Sequence, residues 1–298
     1  MRTIGRSLRG KDMAAPREAP RPGLRGNYSE ARRDYTVPQQ WERYSEDEHT
    51  LWQLLYARQR RLAARYACPE FLAALERIDS PHRIPRLDLA SRKLRRATGW
   101  ELVGVPGLIP EREFFEHLAH RRFPVTVWLR TAQEFDYIAE PDLFHDFFGH
   151  VPLLFDGVYA EHLQAYGMGR LKALPLGGLP YLARLYWYTI EFGLVRSPDG
   201  VRAFGAGLLS SSAELPYAVQ DERPRRVAFD LMRVMRTRYR IDRFQSCYFV
   251  LDNFAQLLHD TAPDFTPYYE RLKQLPALDA DEAVPEDRLV VCDDGARC

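Results

Sequence analysis

Cysteine is scarce: four occur in 298 residues, Cys68, Cys247, Cys292 and Cys298, and none forms a Cys-x-x-Cys pair. That excludes a zinc ribbon and leaves no disulfide framework, so the thiols read as incidental in a reducing, cytoplasmic protein. No apolar stretch approaches the roughly 20 residues that cross a bilayer, which argues against a membrane protein. Internal repeats, sustained heptads and an alternating strand–helix rhythm are all missing, so solenoids, coiled coils and doubly wound sheets are set aside. One sign of charge does not dominate either. The net charge is +1, but residues 1–33 carry nine basic against three acidic residues, and the remainder 33 against 38. A basic segment on a slightly acidic body is not the footprint of a nucleic-acid-binding domain, which places its positive charge on a folded face.

What is present is apolar and aromatic: 46% hydrophobic residues, 12% of all residues being Phe, Trp or Tyr. That suffices for one sizeable core and weighs against disorder over most of the length. Residues 1–33, with Pro16, Pro20, Pro22, Gly23 and Gly26, are expected to form a flexible basic leader. Residues 34–275 are expected to form the catalytic domain, and 276–298 an acidic tail. Ser45-Glu46-Asp47-Glu48 has the capping-box pattern, and Leu51, Leu54, Leu55 and Leu62 follow at helical spacing to about Tyr66. Further helices are expected at 69–78, 88–97, 111–120, 142–149, 158–172, 179–195, 223–237 and 252–259. A short strand is expected at 124–130. Residues 200–213 are rich in Gly and Ser and too irregular for a helix. The fold class is therefore mainly α with a few short strands, an α+β single domain.

Of eight histidines, His145 and His150 stand apart. They lie in Glu140-Pro-Asp-Leu-Phe-His145-Asp-Phe-Phe-Gly-His150-Val-Pro-Leu, among large apolar side chains, where an ionisable ring must be hydrogen-bonded, catalytic or ligating. A spacing of five turns about 140° around a regular helix, so both rings face one ion only if the helix ends there. Gly149 and Pro152 are suited to ending it. Glu191 supplies a third candidate, a lone carboxylate on the aromatic segment Tyr181-Leu-Ala-Arg-Leu-Tyr186-Trp-Tyr-Thr-Ile-Glu191-Phe-Gly. It is costly to bury without a cation or a partner such as Arg184. Two histidines and one carboxylate hold iron(II) with open positions, yet the same set serves zinc hydrolysis. The neighbouring Trp187, Tyr186 and Tyr188 favour an oxidative site with a flat apolar substrate. A non-catalytic helical binding module with structural histidines is the third reading the residues leave open.

Three segments carry a specific resemblance: Glu140-Pro-Asp…His145-x4-His150-Val-Pro-Leu, Tyr186-Trp-Tyr-Thr-Ile-Glu191-Phe-Gly-Leu, and Gly205-Ala-Gly-Leu-Leu-Ser-Ser211. In order and spacing they resemble the pterin-dependent aromatic amino acid hydroxylases, most nearly the single-domain bacterial phenylalanine 4-hydroxylases. The likeness runs from about Asp34 to Pro267. It implies a monooxygenase with a non-haem Fe(II) held by His145, His150 and Glu191, and a tetrahydropterin as second cofactor. Gly107, Leu108, Ile109, Phe114, Asp146, Ala183 and Tyr186 match the pterin-side positions, with Phe114 stacking on the ring. Arg130 matches the residue that holds the substrate carboxylate, and Pro141, Trp187, Gly207 and Ser210 match the rest of the amino acid pocket. Ala139 stands where animal relatives carry Thr. Ile241 stands where the tyrosine enzymes carry an acid, so phenylalanine is the implied substrate and tryptophan the alternative. The resemblance further implies an unregulated monomer whose partners are small molecules. Independently of it, Asp142 lies one turn before His145 and is placed to orient its imidazole.

Overall fold

The computed structural model describes residues 24–261 and 264–290. Most of the expected leader, the end of the tail, and Cys292 and Cys298 lie outside the described residues. The first long helix, α1 (Glu46–Tyr66), begins at Ser45, whose side chain accepts the Glu48 N–H while Glu48 caps the Ser45 N–H in return. Its buried face, including Trp52, Leu55, Tyr56 and Ala63, packs into the core. Pro69 occupies the first turn of α2 (Pro69–Ile78), where its missing N–H costs nothing. Then come α3 (Leu87–Ala97), β1 (Glu101–Val105), α4 (Glu111–Ala119) and β2 (Arg122–Thr126).

β1 and β2 form a parallel pair, with Val103 opposite Pro124. Each has a free edge, so a proline without an N–H is tolerated there. The strand expected at 124–130 thus starts earlier and stops at Thr126. Trp128 leaves the ladder because its indole N–H reaches the Pro106 carbonyl at 3.0 Å. After a π-helical turn, His145–His150, the chain enters α5 (Gly157–Ala173) and α6 (Leu179–Tyr186).

The helix expected over 179–195 is shorter than its pattern. α6 passes into a second π-helical turn, Trp187–Glu191, and then into β3 (Leu194–Ser197). Gly193 makes the break, since a Cβ there would overlap the Phe204 ring and the Thr189 carbonyl. β4 (Gly200–Ala203) returns antiparallel to β3. The segment 200–213, expected to lack helix, contains α7 (Ala206–Ser210), and α8 (Glu214–Gln220) follows it unforeseen. Ser211-x-x-Glu214 is a cap pattern, and the Ser211 hydroxyl does accept the Glu214 N–H at 3.1 Å. The helix expected over 223–237 is instead β5 (Arg225–Ala228) and α9 (Leu231–Arg236), separated where Asp230 caps the Arg233 N–H. β6 (Cys247–Leu251), buried at every position, lies between β3 and β5, and the sheet order is β4-β3-β6-β5. α10 (Phe254–Thr261) and α11 (Thr266–Lys273) complete the helices.

The described part of the tail runs along the outer edge of β5. The Val290 N–H bonds Arg226, the Ala228 N–H bonds Arg288, and Asp287 takes hydrogen bonds from Arg233 and Arg225. Helices surround one continuous core in which both π-turns are buried.

Candidate metal centre and cofactor cleft

The two π-turns make the site. A π-turn closes i→i+5 hydrogen bonds, so residue i+5 returns to the face of residue i. His145 and His150, five apart, therefore project together without the helix ending between them, and Pro152 then opens a short 3₁₀ turn. The wider turn, and not a break at Gly149, resolves the spacing. Gly149 serves packing instead, since a Cβ there would stand 2.8 Å from the Ala206 carbonyl oxygen on α7.

The second π-turn delivers Glu191. Its Oε1 lies 3.3 Å from His150 Nε2 and its Oε2 3.6 Å from His145 Nε2. The two Nε2 atoms are 3.3 Å apart, and one ligand atom from each residue falls within 4.8 Å of the others. Ser210 fixes the tautomer at His145. Its hydroxyl has one proton, donated to the Ala206 carbonyl at 2.8 Å, so it accepts from His145 Nδ1–H, also at 2.8 Å. The neutral ring then turns an Nε2 lone pair towards His150 and Glu191, which is a metal-ready arrangement. Burial pushes the His145 imidazole down, by more than the Glu191 charge lifts it. For Glu191 burial works upward, but the two imidazoles and the Gly207 N–H outweigh it and hold the carboxyl below its usual range. A carboxylate and two imidazole nitrogens converging in a buried place fit a divalent cation.

Two buried carboxylates tie this cluster to the strands. Asp142 accepts from the His145 backbone N–H, the Arg130 backbone N–H, and Arg130 Nε and Nη2, all at 2.9 Å. Asp142 therefore does not orient the His145 ring, as its spacing suggests; Ser210, from 65 residues away, does. Arg130 is only 4% exposed and shares a planar fork with Asp142, leaving Nη1 outside the pair. Asp146 accepts the Thr126 N–H at 2.7 Å, and burial raises its carboxyl above the usual range.

Of the remaining candidates, Phe114 and Tyr186 meet edge to face at 6.0 Å, with Phe115 and Tyr166 beside them. Burial first, and then the Glu191 charge, raises the Tyr186 phenol well above its usual range; Tyr186 ends α6 where the Glu191 turn begins. Trp187 stacks on Tyr239 at 4.4 Å, meets Phe192 in a tilted contact at 4.6 Å, and donates to Gln245. Gly207 closes on Glu191 and Phe192. Gly107 is buried, Leu108 exposed, and Ile109, Pro141 and Ala183 are half-buried. Tyr239 and Gln245, which complete the Trp187 wall, carry no signal in the sequence that would single them out. Arg184, the alternative partner of Glu191, donates instead to the carbonyls of Met235 and Arg236.

Against known proteins, residues 25–275 match the model of the biopterin-dependent aromatic amino acid hydroxylases. The chain belongs to this family. It is 54% identical over 255 residues to the phenylalanine-4-hydroxylase of Chromobacterium violaceum, covering 85% of this chain and 86% of that one. It is 52% identical over 260 residues to that of Ralstonia nicotianae, covering 87% and 83%. The crystal structure of the Chromobacterium violaceum enzyme bound to cobalt superposes with a TM-score of 0.85 at 53% identity, over 86% of this chain and 93% of that one. Family membership implies iron and a tetrahydropterin, and disfavours both the zinc hydrolase and the non-catalytic module. Among the described residues no helix is long and apolar enough to cross a membrane.

Proposed function

We propose that this chain is a phenylalanine 4-monooxygenase, converting L-phenylalanine to L-tyrosine with O2 and a tetrahydropterin. The observation that carries this reading is the convergence of His145, His150 and Glu191 beside an aromatic wall in a member of a pterin-dependent family. When bound, iron(II) would supply the site for O2 activation and the tetrahydropterin the two electrons that the hydroxylation needs. The chain's part is to hold and orient. His145, His150 and Glu191 bind the ion and leave coordination positions open. The Arg130 guanidinium, stiffened by Asp142, receives the amino acid carboxylate. Trp187, backed by Tyr239, with Pro141, Gly207 and Ser210, shapes the ring pocket. Phe114 offers a stacking face to the pterin, with Gly107, Leu108, Ile109, Asp146, Ala183 and Tyr186 around it.

Phenylalanine is favoured over tryptophan because bacterial relatives of about half identity are phenylalanine-4-hydroxylases. The cytoplasm as compartment is supported by the free buried thiols of Cys68 and Cys247. A monomer working only with small molecules belongs to the same proposal and is checked by analytical ultracentrifugation. The deciding assay incubates the protein with iron(II), tetrahydropterin and each aromatic amino acid in turn. Tyrosine from phenylalanine, at a rate well above 5-hydroxytryptophan from tryptophan, is the expected result. The reverse order of rates makes it a tryptophan hydroxylase, and no pterin-dependent product from either defeats the reading.

A further inference from the structure

Residues 25–28 fall where the sequence suggests a loose leader, yet they are bound across the loop that follows β1. The Tyr28 hydroxyl donates to the Leu108 carbonyl at 2.8 Å. Gly26 adopts φ +97° and lies so close to Pro106 that any Cβ would overlap its carbonyl oxygen. Gly107 has φ +143°, and a Cβ there would stand 2.9 Å from the Tyr28 oxygen and 3.1 Å from the Arg25 carbonyl. Both glycines are therefore needed for the crossing itself, and not only for close approach of a cofactor to Gly107.

Arg25 extends the crossing to the second loop of the site. Its guanidinium lies over the Trp128 ring at 5.0 Å and pairs with Glu134 at 2.7 Å, and its backbone N–H reaches Glu140 at 3.4 Å. Trp128 in turn donates to Pro106. The segment so joins loop 105–109 to the run 128–141 that carries Arg130 and Pro141. Behind it lies a cavity of about 290 Å³ bordered by Gly26, Pro106, Tyr44 and Trp128. The loop thus has open space on that side, and the polar contacts add to the burial of Pro106 and Gly107 in fixing it.

We infer that residues 25–28 act as a strap whose Tyr28–Leu108 hydrogen bond positions the pterin-holding loop, making Tyr28 a positioning residue for the cofactor. This rests on the reading of Gly107–Ile109 as the pterin loop. Burial and the Glu140 charge push the Tyr28 phenol up to about 12, so it remains a donor throughout the working pH range. The side chain is half exposed, and removing its hydroxyl leaves no hole in the core.

The test is Tyr28→Phe in the full chain. Hydrogen exchange of the metal- and pterin-free protein should quicken roughly three- to tenfold over 107–109, the loss of one net hydrogen bond. The KM for tetrahydropterin should rise by a similar factor, with the KM for phenylalanine unchanged. Gly26→Ala, which forces the strap off Pro106, should move both quantities the same way and further. Unchanged exchange in both variants overturns the strap. Faster exchange with an unmoved pterin KM overturns its role in cofactor placement, while tyrosine formation by the wild type in the same assay keeps the enzyme reading intact. A wild type without pterin-dependent turnover defeats that reading instead, and the exchange data still report on the strap.

Discussion

Single atoms decide the chemistry of the cleft. Ser210 donates its one proton to Ala206 and so must accept from His145 Nδ1. Ser210→Ala leaves that N–H buried without an acceptor and frees the ring to take the other tautomer. Metal affinity is expected to fall about 10- to 100-fold, the usual cost of losing such an outer partner. Chelator competition measures it, and Ser210→Thr, which keeps the hydroxyl, should recover most of the loss; wild-type affinity in the Ala variant refutes the assignment. Arg130 presents a different case, because its fork is already engaged by Asp142, which is fully buried. Arg130→Lys cannot reproduce two parallel hydrogen bonds and leaves the carboxylate under-satisfied. Beyond weaker phenylalanine binding, it should lower stability by about 1–3 kcal/mol, the cost of a buried acceptor losing a hydrogen bond while the charge is kept. Denaturant melts together with the phenylalanine KM separate the two effects; an unaltered melt places the Asp142 pair among the dispensable contacts.

At the scale of elements, the π-turns and α7 form one unit. The π-turn at His145–His150 presents Gly149 to Ala206, and α7 reaches back with Gly207 to Glu191 and with Ser210 to His145. The obstacle at Gly149 is backbone, which cannot swing aside as a side chain tip would. Gly149→Ala should therefore displace α7, at roughly 1–3 kcal/mol for overpacking, and weaken metal binding although no ligand is changed. Thermal melts and metal titration should fall together. Loss of stability with wild-type metal affinity would show that α7 does not set the ligand geometry. The helix patterns at 45–66, 69–78 and 158–172 were legible because amphipathic spacing, a cap or a first-turn proline marks each one locally. The segments 179–195 and 223–237 were not, because aromatic and apolar runs satisfy helix and buried strand alike. In the first the break comes from packing of Phe204 against Gly193, and in the second from the Asp230 cap that starts α9 after β5.

For the molecule as a whole, pH acts through groups far from the metal. His162 on α5 is buried, donates Nδ1–H to a Thr261 hydroxyl that itself donates to Leu257, and has no partner at Nε2 among the described residues. Burial pushes the imidazole down to about 3. The folded protein keeps it neutral while the unfolded chain protonates near the ordinary histidine value of about 6.5. Stability is thus intact above that value. It declines by roughly 1.4 kcal/mol per pH unit as pH falls below it, until the folded pKa is reached. Denaturation at pH 7.5 and pH 5 should show this slope, and His162→Gln should flatten it. A slope unchanged in the variant assigns the pH dependence to other groups.

The sequence by itself determined the fold class and the Ser45 cap, and it singled out His145, His150 and Glu191 as candidate ligands, because these rest on residue type and local pattern. A buried His-x4-His with a distant Glu on an aromatic helix has few physical uses. Tertiary structure alone decided how the five-residue spacing becomes one face, which hydroxyl selects the His145 tautomer, and what Asp142 holds. It also laid residues 25–28, whose composition suggests a free leader, across Pro106 and Leu108. The tautomer and the crossing depend on groups 65 and 80 residues apart meeting within about 3 Å, and a local pattern carries no record of such meetings.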